Sequence, residues 1–401
     1  MRQALKFHLI GVGGVGMSAL ATLLFRQGHT VTGADRTLTS ANVEFLRSLG
    51  IEVFPDDGSA VDSSVDRVIV STAIEETNPG LVKARELSIP VVHRAAALAE
   101  ALGDRKLVAV VGTCGKSTVT AMLGHILAEC GMDPLCVNGA NVPGWEGAVR
   151  FGSGEYAVAE VDESDRSLVA FKPYAAVVTN ASADHYSKEE MDEVFDAFVK
   201  DASGPVVDAR GETYRPQDYN LQNASLAVRM AVRLGCGEDA AKRAMESFGG
   251  VERRLQLIGN SAGVSGAFVY DDYAHNPEKI RSMWLTLAER HPQGICVIWR
   301  PHGYGPLRKL LNPLAEMFNE TIRPQDKLLL LPVYDAGGTA CRDLNSSALA
   351  AKIDRNKVEL ADGLQAAYQW CTIHYTQVAA FVTCGARDPA LPALAKDLHE
   401  L

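Results

Sequence analysis

Leu107-Val-Ala-Val-Val-Gly-Thr-Cys-Gly-Lys-Ser-Thr118 reads as an apolar strand that runs into a glycine turn and then into a helix. That order makes a phosphate-binding loop. Glycines at 112 and 115 let backbone N–H groups converge on an anion, and the helix start adds the positive end of its dipole. Lys116 reaches terminal phosphates and Ser117 is placed to ligate magnesium. The expected ligand is ATP, held by Gly112, Thr113, Cys114, Gly115, Lys116, Ser117 and Thr118. A strict version of the motif has a glycine five residues before Gly115, where this chain has Val110, so the loop is the shorter Gly-Thr-x-Gly-Lys-Ser form.

Two strands downstream serve the same sheet. Tyr156-Ala-Val-Ala-Glu-Val-Asp-Glu-Ser-Asp165 ends in carboxylates, which are costly to bury. Beside a nucleotide loop such a cluster suits magnesium, a hard cation that takes oxygen ligands, although an N-cap and solvated loop would also explain it. Tyr174-Ala-Ala-Val-Val-Thr-Asn180 leads into Asp184-His185. The strand ends at 112, 160 and 180 are expected to meet at one sheet edge, where open α/β folds bind ligands. Helices are expected near 188–200, 219–234 and 237–247.

Upstream, residues 6–10 read as a buried strand, followed by Gly11-Val-Gly-Gly-Val-Gly16 and an apolar-periodic helix. His29-Thr-Val-Thr-Gly-Ala-Asp35 then ends in an acid at the distance where dinucleotide-binding folds place their ribose ligand. This unit alone would suggest an NAD dehydrogenase. A glycine turn of this kind reports a nucleotide phosphate, and dinucleotide and UDP-linked ligands both fit it.

The chain has 401 residues, which at about 100–200 per domain suggests two to four domains, with three as the working count. Apolar residues make up 47% and charged residues 22%, the profile of a globular protein. A net charge of -10 argues against a nucleic-acid-binding surface, which needs a basic footprint. No apolar run is long enough to span a bilayer, and the start lacks the core and cleavage site of a signal peptide. The eight cysteines are scattered with no C-x-x-C pair, so buried reduced thiols in a cytoplasmic protein are expected.

Residues 249–256, Gly-Gly-Val-Glu-Arg-Arg-Leu-Gln, read as a linker into a last α/β layer with strands near 268–270, 296–299, 327–332 and 379–383. Two loops stand out there. Asp271-Asp-Tyr-Ala-His-Asn-Pro277 stands at a helix start, where capping by Asn276 with Pro277 at the first helical position is the simple reading. Arg300-Pro-His-Gly-Tyr-Gly-Pro-Leu-Arg308 follows a central strand.

Taken in order, the motifs identify the chain as similar to the Mur ligases of peptidoglycan synthesis, and the likeness covers nearly its whole length. The matching stretches are Gly11–Ser18, Val70-Ser-Thr-Ala-Ile74 with Asn78-Pro79, Ile89–Arg94, Gly112–Thr118, Ala159–Asp165, Thr179-Asn180 with Asp184-His185, Asn220-x-x-Asn223, Arg253-Arg254 and Asp272–Pro277. The resemblance implies three domains. A Rossmann-like domain over 1–102 holds a UDP-sugar, a P-loop ATPase-like domain over 103–249 holds ATP, and a Rossmann-like domain over 250–401 takes an amino-acid acceptor. It also implies an amide ligase that activates a UDP-sugar carboxylate as an acyl phosphate, with L-alanine the expected amine.

By the same match, Lys116 stabilises the phosphates in flight, while Ser117, Glu160 and His185 hold magnesium. Asn223 contacts adenine, Arg254 the nucleotide phosphates, and Asp272 and His275 lie near nucleotide and acceptor. UDP is held by Gly11, Gly13, Gly14, Val15, Gly16, Asp35, Ser71 and Thr72.

The chain departs from the family in its middle and in its last third. Between His185 and Asn220 it has only a few dozen residues where the family has a far longer segment, and Tyr219 stands in place of an adenine-side histidine. The edge of the trimmed sheet is then open, covered by a second copy in a homodimer, or covered by Gly204-Pro-Val-Val-Asp208. In the alanine-adding branch the loop after Pro301-His302 continues Arg-Tyr-x-Arg, whose arginines grip the acceptor carboxylate. Here those positions are Gly303 and Pro306, with Arg308 the surviving cation. Besides alanine ligation, a ligase with a different amine or peptide acceptor and an idle nucleotide-binding paralogue both fit this pattern.

Overall fold

The computed structural model describes residues 4–162, 167–181, 188–213, 215–260, 266–335 and 341–401. It is an α/β fold with three sheets. The first holds β1 (Lys6–Ile10), β2 (Thr30–Asp35), β3 (Glu52–Pro55), β4 (Arg67–Val70) and β5 (Val91–His93), all parallel in the order β3-β2-β1-β4-β5. Strand order reverses between β1 and β4, and in such sheets the crevice beyond the strand ends at that point is where ligands bind.

The second sheet holds β6 (Lys106–Val111), β7 (Leu135–Val137), β8 (Val149–Arg150), β9 (Tyr156–Glu160), β10 (Ala175–Val178) and β11 (Val206–Asp208), ordered β11-β10-β6-β9-β7-β8. The third holds β12 (Gln256–Asn260), β13 (Phe268–Asp272), β14 (Ile295–Trp299), β15 (Lys327–Leu330), β16 (Val358–Leu360) and β17 (Ala380–Cys384), ordered β12-β13-β17-β14-β15-β16. Only β8 and β12 pair antiparallel among the named strands, one at an edge of each of these sheets.

Burial on both faces explains the apolar runs. A parallel sheet covered by helices on both sides has no polar face, so its strands read as continuous hydrophobics. In β6, Leu107, Ala109 and Val111 enter a core shared with the helices Val15–Arg26, Arg94–Leu102 and Lys188–Lys200, while Val108 and Val110 face the helices Lys116–Glu129 and Tyr219–Arg233. The third sheet repeats the alternation, with Val297 and Trp299 on one face and Cys296 and Ile298 on the other. Each Val, Leu or Ile among them contributes about 1.5–3 kcal/mol when fully buried.

The chain gathers into two compact units. One comprises residues 1–212 and 223–251 with the first two sheets, and the other comprises 213–222 and 252–401 with the third. Within the first unit the two sheets share that core, and Arg26 pairs with Glu146 at 2.8 Å.

One expected alternative is realised and three expectations change in detail. Val206–Asp208 pairs in parallel with β10, so that edge of the sheet is finished by the chain's own segment. The stretch 249–256 is not only a linker, because Gln256 begins β12 and pairs with Asp271. The expected loop 300–308 turns helical at Tyr304, since Gly303 lets the chain turn and Pro306 is tolerated in the first turn, where no N–H is needed. The acidic strand ends at Glu160 rather than Asp165, and Glu163–Asp165 lie outside the described residues.

Candidate active site

At the C-terminal edge of the second sheet, Val110 lies opposite Glu160 and Val111 opposite Val178, so the ends of β6, β9 and β10 do meet. The loop after β6 is locked from the neighbouring strand. Asn180 Oδ1 accepts hydrogen bonds from Thr113 Oγ1 at 2.6 Å and Cys114 N at 3.0 Å, and its Nδ2 donates to Cys114 O at 3.0 Å. Thr179 Oγ1 donates to the same carbonyl at 2.6 Å. Gly112 has φ +126°, and a β-carbon there would stand 2.2 Å from Thr179 Oγ1, so only glycine fits.

Gly115 caps the helix Lys116–Glu129 from a left-handed conformation without a side-chain hydrogen bond, a glycine-capped start of the kind that receives anions. Lys116 Nζ folds back onto Gly112 O at 2.6 Å, within the loop that would receive phosphates. Ser117 is buried in the first turn and Thr118 is half-buried beside it.

Glu160 ends β9, and its Oε2 accepts from Gly139 N at 2.8 Å. The approach is so close that a β-carbon at 139 would meet that oxygen at 2.4 Å. Among the described residues no group of three or more His, Cys, Asp or Glu forms a ready metal cage. The hydroxyl of Ser117 and the carboxylate of Glu160 are nonetheless the hard oxygen donors magnesium takes, and magnesium at phosphates needs only one or two carboxylates. The third expected ligand, His185, lies outside the described residues. Asn223 is buried in the helix Tyr219–Arg233.

The first sheet presents the other glycine turn. Gly11 N and Val12 N donate to Ala34 O at 2.8 and 3.1 Å, and Gly14 caps the helix Val15–Arg26 with no side-chain bond, so Val15 and Gly16 open a second free helix start. Asp35 uses one oxygen on Gly13 N at 2.8 Å and the other on Thr37 N at 2.8 Å. Its carboxylate therefore holds the turn in shape, whatever it also offers a ribose. Ser71 and Thr72 follow β4 at the same sheet edge. Arg94, not singled out as a ligand from sequence, starts the helix Arg94–Leu102 with Nη1 3.1 Å from where a β-carbon at Gly16 would be. A cation placed against a glycine turn is the signal that sequence spacing could not carry.

In the second unit, Asp272 is buried at the end of β13, where Leu255 N and Ala274 N donate to its two oxygens at 2.6 and 2.7 Å. Burial pushes its carboxyl up to about 6, against the pull of those N–H donors and of Arg254. Asn276 caps the helix Pro277–Arg290 by accepting from Lys279 N at 3.0 Å, as its position suggested. His275 Nδ1 lies 2.9 Å from Tyr273 O, and its ring meets that of His302 at 4.9 Å between centroids. Arg254 sits over the Tyr273 ring at 4.9 Å. Arg308, the surviving cation of the acceptor loop, is paired with Asp343.

Two family models match the chain: Mur ligase family, catalytic domain, over residues 6–106, and Mur ligase, glutamate ligase domain, over residues 253–387. A UDP-N-acetylmuramate–L-alanine ligase of Rhizobium etli is 32% identical over 411 aligned residues, covering 86% of each chain. The fold is similar to the crystal structure of UDP-N-acetylmuramate-alanine ligase MurC from Thermotoga maritima, with a TM-score of 0.82, 24% identity and coverage of 99% of this chain and 98% of that one. It is also similar to a murein peptide ligase from Psychrobacter arcticus, with a TM-score of 0.69, 17% identity and coverage of 99% of both chains. At those identities the two structures speak for the fold alone.

Proposed function

Because the chain belongs to the Mur ligase family and is an ATP-dependent ligase of peptidoglycan synthesis, we propose that it joins L-alanine to the carboxylate of UDP-N-acetylmuramate. The observation that carries this reading is the locked loop Gly112–Thr118 with Glu160 at the adjoining strand end, in a chain whose first sheet offers a second glycine turn for a diphosphate.

A carboxylate is a poor acyl donor at neutral pH. Its oxygen attacks the γ-phosphorus of ATP, ADP leaves, and the amine then attacks the acyl phosphate, releasing phosphate and a proton as the amide forms. Lys116 and the loop N–H groups stabilise the charge that spreads over the transferring oxygens. Bound magnesium supplies further charge neutralisation, and Ser117, Glu160 and His185 are the residues that would hold it. Asn223 takes adenine and Arg254 the nucleotide phosphates, while Asp272 and His275 serve nucleotide and acceptor. Gly11, Gly13, Gly14, Val15, Gly16, Asp35, Ser71 and Thr72 receive UDP, and Arg94 adds a cation to that turn.

We assign residues 1–102 to the UDP-sugar, 103–249 to ATP and 250–401 to the acceptor. All eight cysteines are free thiols, which supports a reducing, cytoplasmic location. A different amine or a peptide is the second reading of the acceptor, favoured by Gly303 and Pro306 standing where two carboxylate-gripping arginines were expected.

The test is phosphate release from ATP with UDP-N-acetylmuramate and magnesium, scanned over single amino acids and short peptides with product mass as the readout. Release with alanine and a matching adduct supports the first reading, and an adduct only with another amine the second. ATP binding with no product from any acceptor would overturn both in favour of an idle paralogue.

A further inference from the structure

Arg254 is presented by an unusual piece of backbone. The residues on either side of it, Arg253 and Leu255, both adopt left-handed conformations, with φ of +58° and +48°. Neither is glycine, and a non-glycine residue in that region is strained. Such backbone persists only where its surroundings over-determine it, and here they do. Arg253 N donates to Gln256 Oε1 at 2.9 Å, Tyr273 N donates to Arg253 O at 2.8 Å, and Leu255 N donates to Asp272 Oδ2 at 2.6 Å.

The Arg253 side chain is the largest of these anchors. Its Nε donates to Asp271 Oδ2 at 2.9 Å, and its two Nη atoms donate to the carbonyls of Gly385 and Ala386 beyond β17. Asp271 is 1% exposed, and its other oxygen accepts from Thr383 Oγ1 at 2.6 Å. Both guanidinium groups also bear on one ring, Arg253 at 5.2 Å and Arg254 at 4.9 Å from the Tyr273 centroid. With its fork spent on a buried carboxylate and two main-chain carbonyls, Arg253 is built to hold the turn.

We propose that Arg253, through Asp271 and Thr383, is a positioning residue that fixes the left-handed turn and with it the direction of the Arg254 guanidinium. The inference rests on the phosphate role given to Arg254 above. Misplacing a positioned group by about 1 Å can cost about 100-fold in rate, so the clamp acts on turnover as well as on stability.

The test is a double-mutant cycle on the full chain, reading kcat and KM for ATP alongside thermal unfolding of each variant. Arg253→Ala is expected to lower kcat/KM for ATP by about tenfold or more in the wild-type background, and by less than about twofold when Arg254 is already alanine. Its effect on unfolding is expected to be the same in both backgrounds. Arg253→Lys, which keeps charge against Asp271 but cannot fork to two carbonyls, should fall between. Should Arg253→Ala not fold, Arg253→Lys and Thr383→Val carry the same cycle. An equal activity loss in both backgrounds would overturn the proposal and leave Arg254's role standing. Wild-type kinetics in Arg254→Ala would instead remove the phosphate role, and the positioning role with it.

Discussion

Replacing Gly139 by alanine tests the Glu160 assignment without touching Glu160. A β-carbon at 139 would stand 2.4 Å from Oε2, 2.6 Å from Cδ and 2.7 Å from Oε1 of Glu160, where ordinary contact begins at 3.4 Å. The carboxylate must therefore retreat by about 1 Å and give up the bond from Gly139 N, worth roughly 1.5–3 kcal/mol for a charged acceptor. Overpacking at a strand end adds about 1–3 kcal/mol of destabilisation, which leaves the fold populated. On the proposed assignment the displaced carboxylate loses hold of magnesium, and disturbances of this kind typically cost about 10–100-fold in metal affinity or activity. The assay is ATP-dependent phosphate release titrated with magnesium. Half-saturation should move up by about 10–100-fold, with much of the rate recovered at high magnesium. An unchanged magnesium dependence in a folded variant would refute the reasoning, as would the same added loss in a Glu160→Gln background.

Lys116→Ala should abolish phosphate release while leaving thermal unfolding near wild type, because the lysine's bond to Gly112 O is local to the loop; normal turnover would sink the loop assignment. Asn180→Ala removes three hydrogen bonds that lock Thr113 and Cys114, each worth about 1 kcal/mol, and should weaken ATP affinity by about tenfold or more in calorimetry. Unchanged affinity would mean the loop keeps its shape unaided. Burial lowers the His8 imidazole from 6.5 to about 4, so the folded chain prefers it neutral. The stabilisation tied to it is present above 6.5 and lost as pH falls toward 4, by roughly 3 kcal/mol in all. Urea unfolding at stepped pH should show that slope in wild type and lose it in His8→Leu; identical slopes would refute it.

Much of this was legible because the signals are local. The glycine turns at 11–16 and 112–115 and the apolar run Leu107–Val111 of β6 combine backbone freedom with continuous burial, and both sit within a dozen residues. The capping role of Asn276 is equally local. What escaped is carried by contacts distant in sequence. Asn180 locks a loop some 66 residues away. The need for glycine at 139 comes from Glu160 on another strand. β12 escaped because Gln256–Asn260 is a half-exposed edge strand with a glycine and an irregular register, which blurs the period of two. Carboxylates at 35 and 272 were singled out in the sequence, yet their backbone partners, which decide what their oxygens do, were not legible there.

The second sheet ends on one side in the two-residue β8 and on the other in the three-residue β11. Unpaired backbone along a sheet margin is what lets one chain template another, and the hazard grows with the length of that margin. Arg210, gripped by Asp192, Asp196 and Asp208, sets charge just past the end of β11. The sheet thus ends in a short, charged strand and not in a sticky border. For engineering, foreign sequence grafted next to this margin has to leave β11 and Arg210 in place, so that the sheet keeps a short and charged border.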